Sequence, residues 1–222
     1  MVAVVDAVAP MKRAGLAICA VLWLVAGFAY VVFEAMAAIA IKPTYSYAGN
    51  YISALGVPAW SPLAWLMNGA FYLQGAFFLT GAVMLVRAVG RRGALFLVLT
   101  AANAVGNFLV ATVHGGSPLA AGNGTYLHGA GALMAILGGN AAIVAGSAIV
   151  ARALGGGRFY RAASLLIAAV GFACLVMLMN YSNWAYPIAP VGVIERSAVY
   201  SIIAWQILSG VVLLAPASRS RA

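Results

Sequence analysis

Six long apolar stretches constrain the fold of this 222-residue chain more than any other feature of its sequence. A helix needs roughly 20 consecutive apolar residues to cross a bilayer, and lipid offers no hydrogen-bond partners to irregular backbone. The stretches lie at residues 14–41, 62–86, 93–113, 126–150, 162–180 and 195–215. The sequence therefore predicts an all-α integral membrane protein, a bundle of six transmembrane helices in a single domain over residues 1–222. The first stretch is far longer than the apolar core of a signal peptide, so we expect it to be retained.

Composition and charge argue against a nucleic-acid-binding protein. The chain is 65% hydrophobic and only 7% charged, whereas about a quarter of the residues in soluble domains are charged. Its 12 basic residues outnumber its 3 acidic ones, but they lie in short clusters between apolar stretches and not along one face. We therefore expect membrane lipids, and no nucleic acid, as partners.

The distribution of basic residues predicts the orientation of the bundle. Only Lys42 and Arg196 fall on one side of a six-helix arrangement. The opposite side carries the other ten: Lys12, Arg13, Arg87, Arg91, Arg92, Arg152, Arg158, Arg161, Arg219 and Arg221. Because Lys and Arg are enriched in cytoplasmic loops, both termini are predicted to be cytoplasmic.

The other ionisable side chains within the bundle gather at the predicted outer end. Glu34 lies inside the first helix, His114 closes the third and His128 begins the fourth. Glu195 and Arg196 open the predicted sixth helix. Because successive helices alternate in direction, all five residues come to one end, where ionisable groups mark candidate functional sites.

We expect Glu34 to have a partner, because inserting a carboxylate into a membrane costs roughly 3 kcal/mol or more on insertion scales. We expect it to point into the bundle toward Arg196 or, as second choice, toward His128. Such a pair would either clamp the first helix to the sixth or belong to a polar site that binds a ligand. The sequence leaves both roles open.

A polar stripe on the third helix predicts a polar interior beside these residues. Thr100, Asn103, Asn107 and His114 recur at helical spacing. Polar side chains of a membrane helix face the bundle interior or a wet cavity, because lipid does not hydrogen-bond them. We therefore include Asn107 in the candidate site.

The loop after the first helix reads TYSYAGNYISALG over residues 44–56 and carries no formal charge. Aromatic rings with a polar edge favour the headgroup region, so we expect this loop to lie on the membrane surface. Asn50 could cap a short helical turn, and Gly56 could end it in a left-handed conformation. Such a turn, with Tyr51 and Ser53, would roof the polar site. An ordinary aromatic belt is the alternative.

No cofactor is predicted. Zinc held by His114, His128, Glu34 and Glu195 is one alternative, but these residues show none of the usual zinc-site spacings. Haem held by His114 and His128 is a second alternative.

The fourth predicted helix carries small residues at helical spacing, including Gly138, Ala142 and Gly146. Small residues let helix backbones approach closely in lipid. We expect this helix to lie centrally, and small-residue faces of this kind could also serve self-association or contact with other membrane proteins.

Three segments resemble one known family. They are NYISALGVPAWSPLAWLMNGAFYLQG from residue 50, LHGAGALMAILGG from residue 127 and GVIERSAVY from residue 192. They are similar to the bacterial membrane family catalogued as domain of unknown function 998. The resemblance implies a six-helix fold, a bacterial cytoplasmic (inner) membrane location and signature positions at Ser53, Leu55, Gly56, His128, Glu195 and Arg196. It implies no activity.

An apolar bundle with a polar mouth at headgroup depth suits a ligand with one polar end, such as a lipid or isoprenoid. Binding or handling of such an amphiphile is our preferred hypothesis. A subunit of a larger membrane complex and a membrane-embedded hydrolase, metal-dependent or acid–base, are the alternatives, so the sequence does not decide whether the protein is an enzyme. The candidate ligand-binding residues are Glu34, Tyr51, Ser53, Asn107, His114, His128, Glu195 and Arg196.

Overall fold

The computed structural model describes residues 2–41, 43–90, 93–115, 124–183 and 187–215. Its helices are α1 (Val2–Ala40), α2 (Ala64–Val89), α3 (Ala94–Thr112), α4 (Gly124–Ala153), α5 (Arg158–Met179) and α6 (Val191–Leu214). Two short 3₁₀ helices cover Ile52–Gly56 and Tyr181–Asn183, and the described ranges contain no strand. Each α-helix includes a segment long and apolar enough to span a membrane, that of α1 being Lys12–Ala40. The predicted six-helix, all-α membrane fold is confirmed.

The six helices form a closed ring. α1 packs against α2 and α6, α3 against α2 and α4, and α5 against α4 and α6. α4 also contacts α2 and α6, and its membrane-spanning segment is the most buried of the six. Side chains on the outward surfaces, such as Phe28, Leu95 and Leu166, are large, apolar and more than half exposed, as lipid-facing side chains should be.

Glycines bring α3 and α4 together, as the small-residue pattern predicted. A Cβ on Gly138 would lie 3.0 Å from the backbone nitrogen of Asn103, and one on Gly131 would lie 2.7 Å from the Leu109 side chain. Because hydrogen takes the place of Cβ, the two backbones reach close contact. This close packing holds α3 in position, and Asn103 and Asn107 of its polar stripe line the candidate site.

The start of α6 corrects the sequence-based boundary. The prediction placed Glu195 and Arg196 at its first residues, but the helix begins at Val191, directly after Pro190. Proline fixes φ near the helical value and needs no hydrogen bond for its nitrogen, so a helix readily begins beside it. Glu195 and Arg196 therefore lie a full turn inside the helix, where both are buried.

Candidate functional site

A buried ion pair joins α1 to α6. Arg196 Nε donates to Glu34 Oε1 over 2.9 Å, and the Tyr200 hydroxyl donates to Glu34 Oε2 over 2.8 Å. Glu34 is fully buried and Arg196 is 7% exposed. Both oxygens of the carboxylate therefore have donors, which offsets part of the cost of burying it. Of the two partners expected for Glu34, Arg196 is the one present.

The rest of the Arg196 guanidinium holds the loop that follows α1. Its Nη1 donates to the carbonyl oxygens of Tyr47, over 2.6 Å, and Asn50, over 2.9 Å. Its Nη2 donates to the Tyr45 hydroxyl. The Tyr47 ring lies 4.5 Å from the guanidinium carbon, within cation–π range. The guanidinium thus ties α1, α6 and the loop together, and each of its three nitrogens donates to at least one acceptor within the protein.

Gly192 makes this arrangement sterically feasible. It lies one turn before Arg196, and a Cβ there would come within 2.5 Å of the carbonyl oxygens of both Tyr47 and Asn50. These are the oxygens that Arg196 binds. Only glycine allows the loop backbone to approach α6 so closely.

The loop tyrosines stay neutral near pH 7. Burial raises the pKa of Tyr45 to about 12, and the nearby Arg196 guanidinium offsets part of that rise. Burial also raises the pKa of Tyr47 and of Tyr51 above the ordinary value for tyrosine. The neutral Tyr45 hydroxyl can accept from Arg196 while it donates to the Tyr51 carbonyl oxygen over 3.1 Å.

The 3₁₀ helix Ile52–Gly56, called the roof helix below, closes the loop end of the bundle. Glu195 accepts a hydrogen bond from the Ile52 backbone N–H, which satisfies one free donor of the first turn. Ile52 and Leu55 are buried in an apolar cluster with Tyr30, Met67 and Phe71. A short helix over the polar residues was expected, and the structure contains one.

The ends of the roof helix differ from the prediction. Tyr51, and not Asn50, precedes its first residue, while the Asn50 side chain accepts from the Ser46 N–H over 2.8 Å. Gly56 does not have a positive φ. It is instead packed against Asn68 of α2, whose Nδ2 donates to the Gly56 carbonyl over 2.9 Å. The requirement for glycine here is close approach and not a left-handed conformation.

A cavity of about 40 Å³ lies beneath the roof helix, between α1, α2, α3, α4 and α6. Its polar lining comes from Tyr30, Ser53, Gln74, Asn103, Asn107 and Glu195. At roughly 10–15 Å³ for one water-sized sphere, this space holds a few waters or a small polar group. The polar stripe of α3 thus faces an internal space through Asn103 and Asn107.

A wider groove of about 240 Å³ lies on the other side of the roof helix. Tyr51, Ser53, Trp60 and His128 are among its lining residues. His128 Nδ1 lies 2.9 Å from the Val113 carbonyl oxygen. Because a carbonyl only accepts, Nδ1 carries the proton, and Nε2 is the nitrogen that can accept from a ligand. Ser53 lines both the groove and the cavity.

The structure separates the predicted site residues into three groups. Glu34 and Arg196 form the clamp, Asn107 and Glu195 line the cavity with Ser53, and Tyr51 and His128 line the groove. His114 is apart, with Nδ1 3.0 Å from the Gly115 carbonyl oxygen. Within the described ranges, no three His, Cys, Asp or Glu side chains form a group able to hold a metal, so the two histidines do not join Glu34 and Glu195 there.

Sequence reasoning missed three residues of this region. Tyr200 shares Glu34 with Arg196, and Gly192 admits the loop backbone. Gln74 of α2 lines the cavity and donates through Nε2 to Gln206 Oε1 over 2.7 Å. Tyr200 lies four residues after Arg196, so helical spacing could have indicated it. A lone glutamine in α2 gave no periodic signal.

One comparison with known proteins gives a match. The family model described as protein of unknown function (DUF998) matches residues 13–212, which is most of the chain. Neither the curated proteins nor the solved structures contain a match.

Proposed function

The chain belongs to the DUF998 family, and we propose that this multi-pass membrane protein binds a lipid-like amphiphile at the loop end of its helix bundle. The small polar head enters the cavity under the roof helix, and the remainder lies in the groove beside Tyr51 and His128. Membrane lipids are the proposed partners, and the bacterial inner membrane with cytoplasmic termini is the proposed location.

The observation that carries this proposal is the position of Ser53. It lines the cavity, whose wall mixes polar and apolar side chains, on one side of the roof helix and the wider groove on the other. A ligand with a polar end and an apolar body needs two adjoining spaces of this kind. The apolar body would leave the groove past Trp60, which is 68% exposed at the predicted headgroup level.

The clamp supports the site without contacting the ligand. Arg196 binds Glu34 and the loop carbonyls, and neither Arg196 nor Glu34 lines the cavity or the groove. Their role is to hold the roof helix over the cavity. The ligand-binding residues proposed are therefore Ser53, Asn107, Glu195, Tyr51 and His128, and His114 is left out.

A cavity-filling pair of variants tests the proposal. Ala132 lines the cavity from α4, whereas Ala130 on the same helix is exposed on the outer surface. We expect Ala132→Leu to retain several-fold less co-purified lipid than wild type in native mass spectra, because leucine occupies the space for the head. Ala130→Leu should retain as much as wild type. Equal lipid retention by both variants, at matched melting temperatures, would overturn the proposal.

A membrane-embedded hydrolase is the second candidate, because Ser53 and His128 line the same groove. In that reaction Ser53 Oγ would attack an ester carbonyl while His128 Nε2 takes its proton and passes it to the leaving alcohol. Water would then release the acid and restore the serine. A fluorophosphonate probe should label wild type and not Ser53→Ala. Equal labelling of both proteins, or of neither, would remove this candidate.

A further inference from the structure

The polar side chains that line the cavity include two asparagines, beside the hydroxyls of Tyr30 and Ser53. Asn103 Nδ2 donates to the Ala135 carbonyl over 2.6 Å, and Asn107 Nδ2 donates to the Asn103 carbonyl over 2.9 Å. Because both amide nitrogens are held by backbone carbonyls, which only accept, the amide orientations are fixed. Asn107 therefore offers its oxygen to the cavity.

Gln74 adds a second free acceptor. Its nitrogen donates to Gln206 Oε1, and its own Oε1 and the Gln206 Nε2 are both buried with no hydrogen-bond partner among the described residues. Burying a polar atom without a hydrogen-bond partner destabilises the protein. Gln74 is 3% exposed and lines the cavity, so a donor bound there would remove this destabilisation.

Among the described residues, Glu195 supplies the only carboxyl group of the cavity lining. Glu195 lines the cavity and accepts from the Ile52 N–H, while the ion pair found in the described ranges joins Arg196 to Glu34. Arg196 does not line the cavity, and its guanidinium donates to Glu34 and to the loop. No Lys, Arg or His of the described residues lines this space.

We propose that the cavity selects an amphiphile whose head is a small cation with several hydrogen-bond donors, a primary ammonium, over one with an anionic head. This rests on the proposed function and names the chemical class of its ligand. An ammonium brings three donors for Glu195, Gln74 and Asn107 and a charge opposite to that of Glu195. A phosphate or carboxylate could accept from the Tyr30 and Ser53 hydroxyls, but it would lie beside the Glu195 carboxylate. Two like charges in contact are unfavourable in a low-dielectric interior.

Three probes with the same twelve-carbon chain test the selectivity: dodecylamine, dodecanol and dodecyl phosphate. Purified wild-type protein in maltoside detergent is titrated with each, and binding is followed by the shift in melting temperature. We expect the amine to bind about tenfold more tightly than the alcohol, and the phosphate to bind more weakly than either. An alcohol that binds as tightly as the amine, or a phosphate that binds best, would overturn the inference while amphiphile binding itself stands.

Two substitutions assign the selectivity to the cavity. Glu195→Gln removes the charge but keeps an oxygen for the Ile52 N–H, so the preference for amine over alcohol should disappear while the alcohol still binds. Asn107→Lys places an ammonium in the cavity, so dodecyl phosphate should then bind more tightly than dodecylamine. This variant also provides the test if Glu195→Gln does not fold. An amine preference unchanged in both variants would overturn the inference.

A free alkali cation shares the chemistry of the ammonium head, and a salt titration separates the two. We expect sodium chloride and choline chloride to shift the melting temperature equally, since the cation is proposed to arrive on an amphiphile. A sodium-specific shift that is lost in Glu195→Gln would contradict this and identify a free ion as the occupant. Failure of the Ala132→Leu test, by contrast, bears on the proposed function.

Discussion

Arg196 Nε lies 2.9 Å from Glu34 Oε1, although the two residues are 162 positions apart in the sequence. The guanidinium also binds the Tyr47 and Asn50 carbonyls and the Tyr45 hydroxyl. A loop without charged side chains can therefore be held firmly, because its backbone and a tyrosine supply the acceptors. Between the two roles expected for Glu34, this geometry favours the clamp.

The close approach at Gly192 gives the first prediction. Gly192→Ala places a Cβ against the Tyr47 and Asn50 carbonyls and should push the loop away from Arg196. We expect a loss of about 1–3 kcal/mol, as for overpacked sites, measured as lower thermal stability in detergent. Gly69→Ala is the control, since a Cβ there meets nothing within 4 Å. A Gly192→Ala protein as stable as wild type would show that the loop is not held in this position.

The groove gives a prediction that separates ligand binding from folding. Tyr51→Ala removes a side chain that is 44% exposed and lines the groove, but leaves its carbonyl to accept from Tyr45. We expect less retained lipid in native mass spectra and a melting temperature close to that of wild type. If lipid retention and thermal stability fall together, the loop has only a structural role, as an aromatic belt at the membrane surface.

Gly56→Val serves as the contrasting variant in the same segment. Its side chain would collide with Asn68, whose Nδ2 holds the Gly56 carbonyl. We expect lower thermal stability together with loss of lipid, because the roof helix must move. A variant that keeps wild-type stability would show that the contact between Gly56 and Asn68 does not position the roof.

Orientation in the membrane is tested by reporter fusions. From the ten-to-two distribution of basic residues, we expect a reporter after Arg92 or Arg158 to be cytoplasmic and one after Gly122 to be on the other side. A cytoplasmic reporter at Gly122 would place the cavity and the groove on the cytoplasmic face and would exclude a ligand from the outer leaflet.

Features of the fold were predictable from the sequence where they depend on the properties of a single residue or a single segment. The lengths of the apolar stretches predicted six helices, since lipid requires helical backbone. The cost of burying Glu34 in the membrane predicted a cationic partner, and Arg196 is that partner. Both arguments need no knowledge of how the helices are arranged.

Features that depend on two segments meeting were not predictable in this way. The sequence suggests a left-handed conformation for Gly56, yet glycine is required there because Asn68, 12 positions away, packs against it. Gly192 carries no signal until the loop is seen to fold onto α6. The separation of His114 and His128 from the clamp likewise follows from the arrangement of the helices. The spacing of residues along one helix does not specify that arrangement.

The clamp itself gives the last prediction, made with two substitutions in the same ion pair. Glu34→Gln keeps oxygen and nitrogen atoms of similar size, so the amide oxygen can still accept from Arg196 or Tyr200. Arg196→Ala leaves the fully buried Glu34 carboxylate with Tyr200 as its remaining donor and also frees the Tyr47 and Asn50 carbonyls. Breaking a buried pair in this way costs roughly 3–5 kcal/mol.

We therefore expect Arg196→Ala to lower the melting temperature far more than Glu34→Gln, and Glu34→Gln to retain most of the bound lipid. The measurement is thermal unfolding of both variants in the same detergent, with lipid retention determined on the same samples. If Glu34 instead carries a proton or contacts the ligand, Glu34→Gln should abolish binding or activity while its melting temperature barely moves. An amide preserves the shape of the carboxylate but not its charge. That result would therefore reject the clamp as the role of Glu34 and show that its carboxylate takes part in ligand binding or proton transfer.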